Sequence, residues 1–194
     1  MVSSKLILAS ASPRRLALLE QIGIVPQTVV AADIDESPND QELPRAHALR
    51  VAVQKAKIVQ ARQSADNPIN ILAADTVVAC GRRILPKAED TETVSRCLQL
   101  LSGRRHTVIT AIAIVDKAGK LRTRVVETKV AFRRLEASEI VEYVQAGEGL
   151  GKAGGYAIQG RAAVFVRFIS GSYSNVVGLP LMETFQLLRA CAVA

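Results

Sequence analysis

Residues 6–23 read Leu-Ile-Leu-Ala-Ser-Ala-Ser-Pro-Arg-Arg-Leu-Ala-Leu-Leu-Glu-Gln-Ile-Gly, and this stretch decides the class of fold. Lys5 to Ala9 is a short apolar run, long enough for a strand and too short for most helices. Ser12 suits an N-cap, Pro13 suits the first helical position, and Gly23 suits a helix stop. Leu16, Leu19 and Ile22 then recur at helical spacing and give the helix an apolar face. The order is strand, small-residue turn, helix. Free N–H groups at such a helix start attract anions. Arg14 and Arg15 add two cations there, where the helix dipole disfavours them. A bound anion would resolve that conflict; two solvated arginines on an exposed turn fit the stretch equally well.

The other segments extend the pattern. Thr28 to Ile34 is expected to form a second strand ending in Asp33, Asp35 and Glu36, and Ser37 to Pro44 a polar loop. Ala46 to Arg62 reads as a long helix with Leu49, Ala52, Val53, Ala56 and Val59 as its stripe. Lys55, three residues after Ala52 and four before Val59, falls on the buried side. Ser64 to Asn70 is expected to be a loop. Ile71 to Ala79 is apolar on both faces and reads as a central strand. Ile84 to Asp90 is expected to be a loop carrying Lys87, followed by a helix over Thr91 to Leu101. Thr107 to Val115 and Thr123 to Phe132 predict an antiparallel hairpin turning at Lys117 to Lys120. Ser138 is positioned to cap a helix running to Ala146. A strand over Val164 to Ile169 and a helix over Leu179 to Val193 complete the chain. Interleaved strands and helices plus a hairpin predict a mixed α/β sheet, in one domain over residues 1–194.

Composition narrows the class of function. Of the 194 residues, 49% are apolar but only 4% aromatic, so the core is aliphatic. The formal charge of +7 suits a polyanionic partner. Scarce aromatics argue against single-stranded nucleic acid, which wants stacking platforms. Three distant cysteines, Cys80, Cys97 and Cys191, have no metal-site spacing and fit a reducing, cytoplasmic setting. No apolar run is long enough to span a membrane, so no membrane partner is expected.

Asp75 is the sharpest position. A carboxylate inside an apolar strand costs several kcal/mol unless a cation or metal joins it, about 2–7 for even a neutral polar group. Glu36, beside Asp33 and Asp35, supplies a second carboxylate at a strand end. Two carboxylates around one Mg²⁺ completed by phosphate oxygens and water is a common arrangement in phosphate chemistry. Lys55 and Lys87 are candidate phosphate cations. The spacing Gly149-x-Gly151-x-x-Gly154 fits the dinucleotide fingerprint, but a helix precedes it where a strand is required, so it is set aside. His47 and His106 lack the neighbours of a catalytic triad and read as structural or solvated.

With these residues in hand, the chain resembles the Maf family of nucleotide pyrophosphatases. The resemblance rests on Leu8-Ala9-Ser10-Ala11-Ser12-Pro13-Arg14-Arg15, on Ala74-Asp75-Thr76, on residues 152–160 (Lys-Ala-Gly-Gly-Tyr-Ala-Ile-Gln-Gly), and on Gly171-Ser172-Tyr173 with Val177-Gly178-Leu179-Pro180. It implies a twisted mixed sheet flanked by helices, two lobes around a central cleft, and commonly a homodimer. It implies hydrolysis of a nucleoside triphosphate to monophosphate and pyrophosphate with Mg²⁺ or Mn²⁺. It places Ser10, Arg14, Arg15, Lys55 and Lys87 around the phosphates, and Glu36 and Asp75 at the metal and attacking water, with Asp75 as general base. Arg14, Thr76 and Gln159 match the type preferring dTTP and UTP; a broad-specificity or 7-methyl-GTP enzyme is the alternative. The family's usual Lys-Pro becomes Pro86-Lys87-Ala88 here. A non-enzymatic regulator of septum formation and a nucleic-acid-binding module are the competing classes. Neither gives inward-facing Asp75 and Lys55 a purpose.

Overall fold

The structure is a computed structural model that describes residues 3–64 and 68–193. Its elements run β1 (Ser3–Ala9), α1 (Pro13–Gln21), β2 (Val25–Val29), α2 (Pro44–Ala61), β3 (Asn70–Cys80), β4 (Arg83–Leu85), α3 (Thr91–Leu101), β5 (Arg105–Val115), β6 (Leu121–Phe132), α4 (Ala137–Gln145), a 3₁₀ turn (Arg161–Phe165), β7 (Val166–Ser170), α5 (Tyr173–Val177) and α6 (Leu181–Ala190). The strands form one seven-stranded sheet in the order β2-β1-β3-β5-β6-β7, with β4 also paired to β3. β1 runs parallel to β2 and β3, and the remaining pairings are antiparallel. The mixed α/β sheet expected from the interleaved pattern is therefore present.

Successive strand residues point to opposite faces, and here the two faces build two cores. Leu6, Leu8, Leu72, Ala74 and Val78 join side chains from α1, α3, α4 and α6 on one side. Ile7, Ala9, Ile71, Ala73, Val77 and Ala79 meet Ala48, Ala52, Ala56 and Val59 of α2 on the other. Alanine dominates that second face, which lets α2 lie close to the sheet. This alternation has one consequence for the chemistry: Asp75 faces α2, whereas its neighbour Thr76 faces the α1 side.

Several boundaries differ from the sequence reading, each for a local reason. The second strand occupies Val25–Val29, not Thr28 to Ile34. It pairs only with β1, its last ladder bond is Val30 N–H to the Leu8 carbonyl, and the chain then turns away, with Asp33 at φ 48°. Part of the expected loop over 84–90 is strand β4, antiparallel to Val78, Ala79 and Cys80. The α4 helix starts from Glu136, not Ser138, because the Glu139 carboxylate accepts the Glu136 N–H at 2.9 Å. The expected strand over Val164 to Ile169 begins as the 3₁₀ turn and becomes strand only from Val166. The final expected helix starts at Leu181, with Pro180 as its N-cap. Ser12 stands at the α1 N-cap but makes no side-chain capping bond. The loop expected over Ser64 to Asn70 lies partly outside the described residues.

Candidate active site

On the α2 face, Asp75 is only 6% exposed and Lys55 7%. Lys55 Nζ donates to Asp75 Oδ1 at 2.8 Å. The same Nζ lies 2.8 Å from Glu36 Oε1, whose side chain is half exposed on the irregular segment after β2. The helical spacing that turned Lys55 inward and the apolar run that buried Asp75 thus bring both to one point. Two carboxylates from distant parts of the chain converge on a single cation. Desolvating these groups is expensive, and the pairing offsets it.

On the opposite face, Arg15 is buried and all three of its guanidinium nitrogens are used within the protein. Nε donates to the Gly178 carbonyl at 2.9 Å, Nη1 to Ser10 Oγ at 3.1 Å, and Nη2 to Thr76 Oγ1 at 3.1 Å. Thr76 Oγ1 lies 3.0 Å from Thr110 Oγ1, which donates to the Asn175 carbonyl at 3.1 Å. The chain of donors therefore runs from Arg15 through Thr76 and Thr110 to the backbone of α5. Burial pushes the Arg15 pKa down, while the charges of Asp75 and Glu36 push it back up. Arg15 acts as a latch here, tying the start of α1 to the Gly178 turn; that explains how a cation survives in the first turn of α1. Thr110 escaped the sequence reading, and Gly178 entered it only within the motif Val177-Gly178-Leu179-Pro180, with no partner assigned. Thr110 gave one signal, a hydroxyl in the middle of an otherwise apolar strand.

Arg14 is half-buried, and desolvation lowers its pKa. Lys87 is exposed beside the glycine-rich stretch, with a bridge pairing it to Ala153. Neither is ion-paired among the described residues. Gln159 is exposed, and it makes no hydrogen bond to Asp75 or Arg15 among the described residues. The two histidines are structural. His47 Nδ1 meets Glu42 Oε2 at 3.0 Å, and buried His106 Nε2 meets Tyr156 Oη at 2.8 Å. The glycine spacing over 149–154 serves packing rather than a dinucleotide: residues 147–151 form turns. A Cβ on Gly149 would lie 2.5 Å from the Gly155 carbonyl, and one on Gly154 would lie 2.8 Å from Val78.

Comparison with known proteins joins this geometry to a family. The family described as Maf-like protein matches residues 5–191. The chain belongs to the Maf family. A relative from Rhodospirillum rubrum named dTTP/UTP pyrophosphatase is 59% identical over 96% of this chain and 87% of its own length. Its namesake from Caulobacter vibrioides is 56% identical, covering 94% of this chain and 93% of the relative. Among solved structures, a HAM1 protein from Coxiella burnetii shares the fold, with a TM-score of 0.50, 16% identity, and coverage of 98% of this chain and 100% of that one. In this chain Asp75 and Glu36 converge on Lys55 on one face of β3, and the Arg15 latch holds Thr76 on the other.

Proposed function

We propose that this chain hydrolyses the α–β phosphoanhydride bond of dTTP and UTP, releasing the monophosphate and pyrophosphate. The observation that carries the proposal is Asp75, a buried acid in an apolar strand that meets Lys55 and Glu36 at one point. The names of the Rhodospirillum and Caulobacter relatives support the same substrates.

A divalent cation, Mg²⁺ or Mn²⁺, belongs to this reading. The donor set fits one: Glu36 and Asp75 already converge on a single ammonium. Among the described residues no group of three His, Cys, Asp or Glu side chains forms a cage. Mg²⁺ needs none, since it commonly takes one or two carboxylates and fills its shell with waters and phosphate oxygens. Glu36 and Asp75 would hold the ion, which would neutralise charge on the phosphates.

The residues of the chain divide the work. Asp75 accepts the proton of the attacking water. The water oxygen bonds to the α-phosphorus, the bond to the bridging oxygen breaks, and its electron pair leaves with pyrophosphate. Lys55, paired with both carboxylates in this structure, would turn to the phosphates when those carboxylates hold the ion. Ser10, Arg14 and Lys87 complete the phosphate contacts. Fixed charges aimed at developing negative charge lower the barrier without reorganising during the reaction. Arg14, Thr76 and Gln159 set the preference for pyrimidine bases. Thr76 does so through the Arg15 latch and Gln159 from the glycine-rich stretch. Arg15 serves the substrate by holding Ser10 in place. A homodimer and a cytoplasmic setting complete the proposal; the three unpaired thiols suit the latter.

The test is a product assay on the purified chain. With Mg²⁺, dTTP and UTP should yield pyrophosphate and monophosphate ahead of the purine triphosphates and 7-methyl-GTP. Release of inorganic phosphate in place of pyrophosphate, or a preference for 7-methyl-GTP, would refute the reading.

A further inference from the structure

Lys152 stands outside every role assigned above. It lies in the stretch 151–154, which is tied to residues 86–88 by backbone bonds. Ala88 N–H donates to the Lys152 carbonyl at 3.0 Å, Gly151 N–H to the Ala88 carbonyl at 2.7 Å, and Gly154 N–H to the Pro86 carbonyl at 3.0 Å. The bridge between Lys87 and Ala153 belongs to the same ladder. Such a ladder fixes the two segments more firmly than loop contacts alone, and it carries Lys87 and Lys152 together. Gly154 makes the close approach possible: its φ of 67° suits glycine, and Val78 of β3 fills the space a Cβ would need. The ladder is thus seated on β3, against the face that carries Val78 and Thr76, with Asp75 on the other face of the same strand.

Lys152 is half-buried, and among the described residues its ammonium makes one hydrogen bond, from Nζ to the Leu150 carbonyl at 3.0 Å. No carboxylate forms an ion pair with Lys152, Lys87 or Arg14 among the described residues. Desolvation pushes the Lys152 ammonium down, and Arg14 and Lys87 push it further the same way. A partly buried ammonium crowded by two like charges is unfavourable in the free protein. It becomes favourable when a polyanion joins the three. Lys55, by contrast, is already matched by two carboxylates, and the Arg15 guanidinium is held by Gly178, Ser10 and Thr76.

We infer that Lys152 is a third cation of the phosphate cradle, set beside Lys87 and Arg14 to receive the oxygens of the departing pyrophosphate. This deepens the pyrophosphatase reading and rests on it. The division follows from charge: carboxylates gather where water and the α-phosphorus react, and uncompensated cations gather where the leaving group accumulates charge. The altered order Pro86-Lys87-Ala88 fits as well, since Ala88 is the residue whose backbone bonds Lys152 and Gly151.

Inorganic pyrophosphate, titrated calorimetrically into the full chain with Mg²⁺, is the direct probe. The wild type should bind it, and Lys152→Gln should weaken binding roughly tenfold or more, as for a lost charge-assisted contact. Lys120→Gln, on an exposed turn, controls for net charge and should leave the affinity unchanged. UMP should bind wild type and Lys152→Gln alike. In nuclear magnetic resonance titrations, the Lys152 ammonium should gain basicity when pyrophosphate is added, a change that a purely structural lysine would not show. Equal pyrophosphate affinity in Lys152→Gln and wild type, no binding to the wild type, or an equal loss for UMP would overturn the inference. If pyrophosphate binding depends on Lys152 but no triphosphate is hydrolysed, the activity falls and the anion site stands.

Discussion

Replacing Arg15 by lysine keeps the charge and removes the fork. The guanidinium holds Gly178, Ser10 and Thr76 from three nitrogens, at 2.9, 3.1 and 3.1 Å. A lysine ammonium is a single point and cannot reach all three. Ser10 and Thr76 are hydroxyls with further partners: Ser10 Oγ also accepts the Ser12 N–H at 3.2 Å, and Thr76 keeps Thr110. Their losses are therefore partly made good, while the Gly178 carbonyl is left poorly satisfied. Buried groups left without a partner cost about 1–3 kcal/mol each, so Arg15→Lys should cost about 2–4 kcal/mol. For a chain of this size about 1 kcal/mol moves the melting temperature by roughly 2–4 °C, which gives a fall of about 4–16 °C. The assay is thermal melting followed by circular dichroism, paired with pyrophosphate release at a temperature where the variant is folded. Because Arg15 links Ser10 to Thr76 and the Gly178 turn, the variant should also narrow the gap between pyrimidine and purine triphosphates. A melting temperature within 1 °C of wild type would refute the latch, whatever the activity.

Other perturbations read other parts of the molecule. Burial pushes the His106 pKa down to about 4, from an ordinary value of 6.5. The unfolded chain therefore binds the extra proton between these values, and stability falls as pH drops from 6.5 towards 4. The loss approaches about 3 kcal/mol, and His106→Gln, which can keep a bond to Tyr156, should flatten it; parallel pH–stability curves for the two proteins would contradict this. Gly154→Ala combines a left-handed φ with a Cβ 2.8 Å from Val78 and should cost about 2–4 kcal/mol in denaturant unfolding. An unaltered unfolding midpoint would show that the glycine-rich ladder is not seated on β3 as described. Arg14→Ala should raise the KM for dTTP and UTP and compress their advantage over purines with little effect on melting, and an unchanged substrate ranking would remove Arg14 from base selection.

The legible parts of this protein were those written in periodicity. β3 announced itself by an unbroken apolar run, so the acid inside it stood out. The inward turn of Lys55 followed from helical spacing alone. Their pairing is a finding of the structure: the sequence reading asks a cation or metal for Asp75 and gives Lys55 to the phosphates. What could not be read depended on residues far apart in the chain. Arg15 is satisfied by a carbonyl 163 residues away, and nothing local distinguishes it from Arg14. Their different fates, one enclosed and one open to a ligand, come from the helix start aiming one side chain at α5. Lys152 sits among glycines, where no apolar stripe gives a direction, and its setting is fixed by a backbone ladder that has no side-chain signature. The limits of β2 were misread for a related reason. Pro26 lies opposite Ser4 near an irregularity in the β1 ladder, and the edge strand ends where its single partner ends.

The account turns on Asp75, so its charge is the quantity to remove. Asp75→Asn preserves shape and a hydrogen-bond acceptor for Lys55, and Glu36 still faces the ammonium, so the chain should remain folded by circular dichroism. Pyrophosphate release from UTP with Mg²⁺ should nevertheless fall by roughly 10²–10⁴ in kcat, the range for a lost general base. A folded Asp75→Asn protein that turns over UTP within a factor of about two of the wild type would contradict the account.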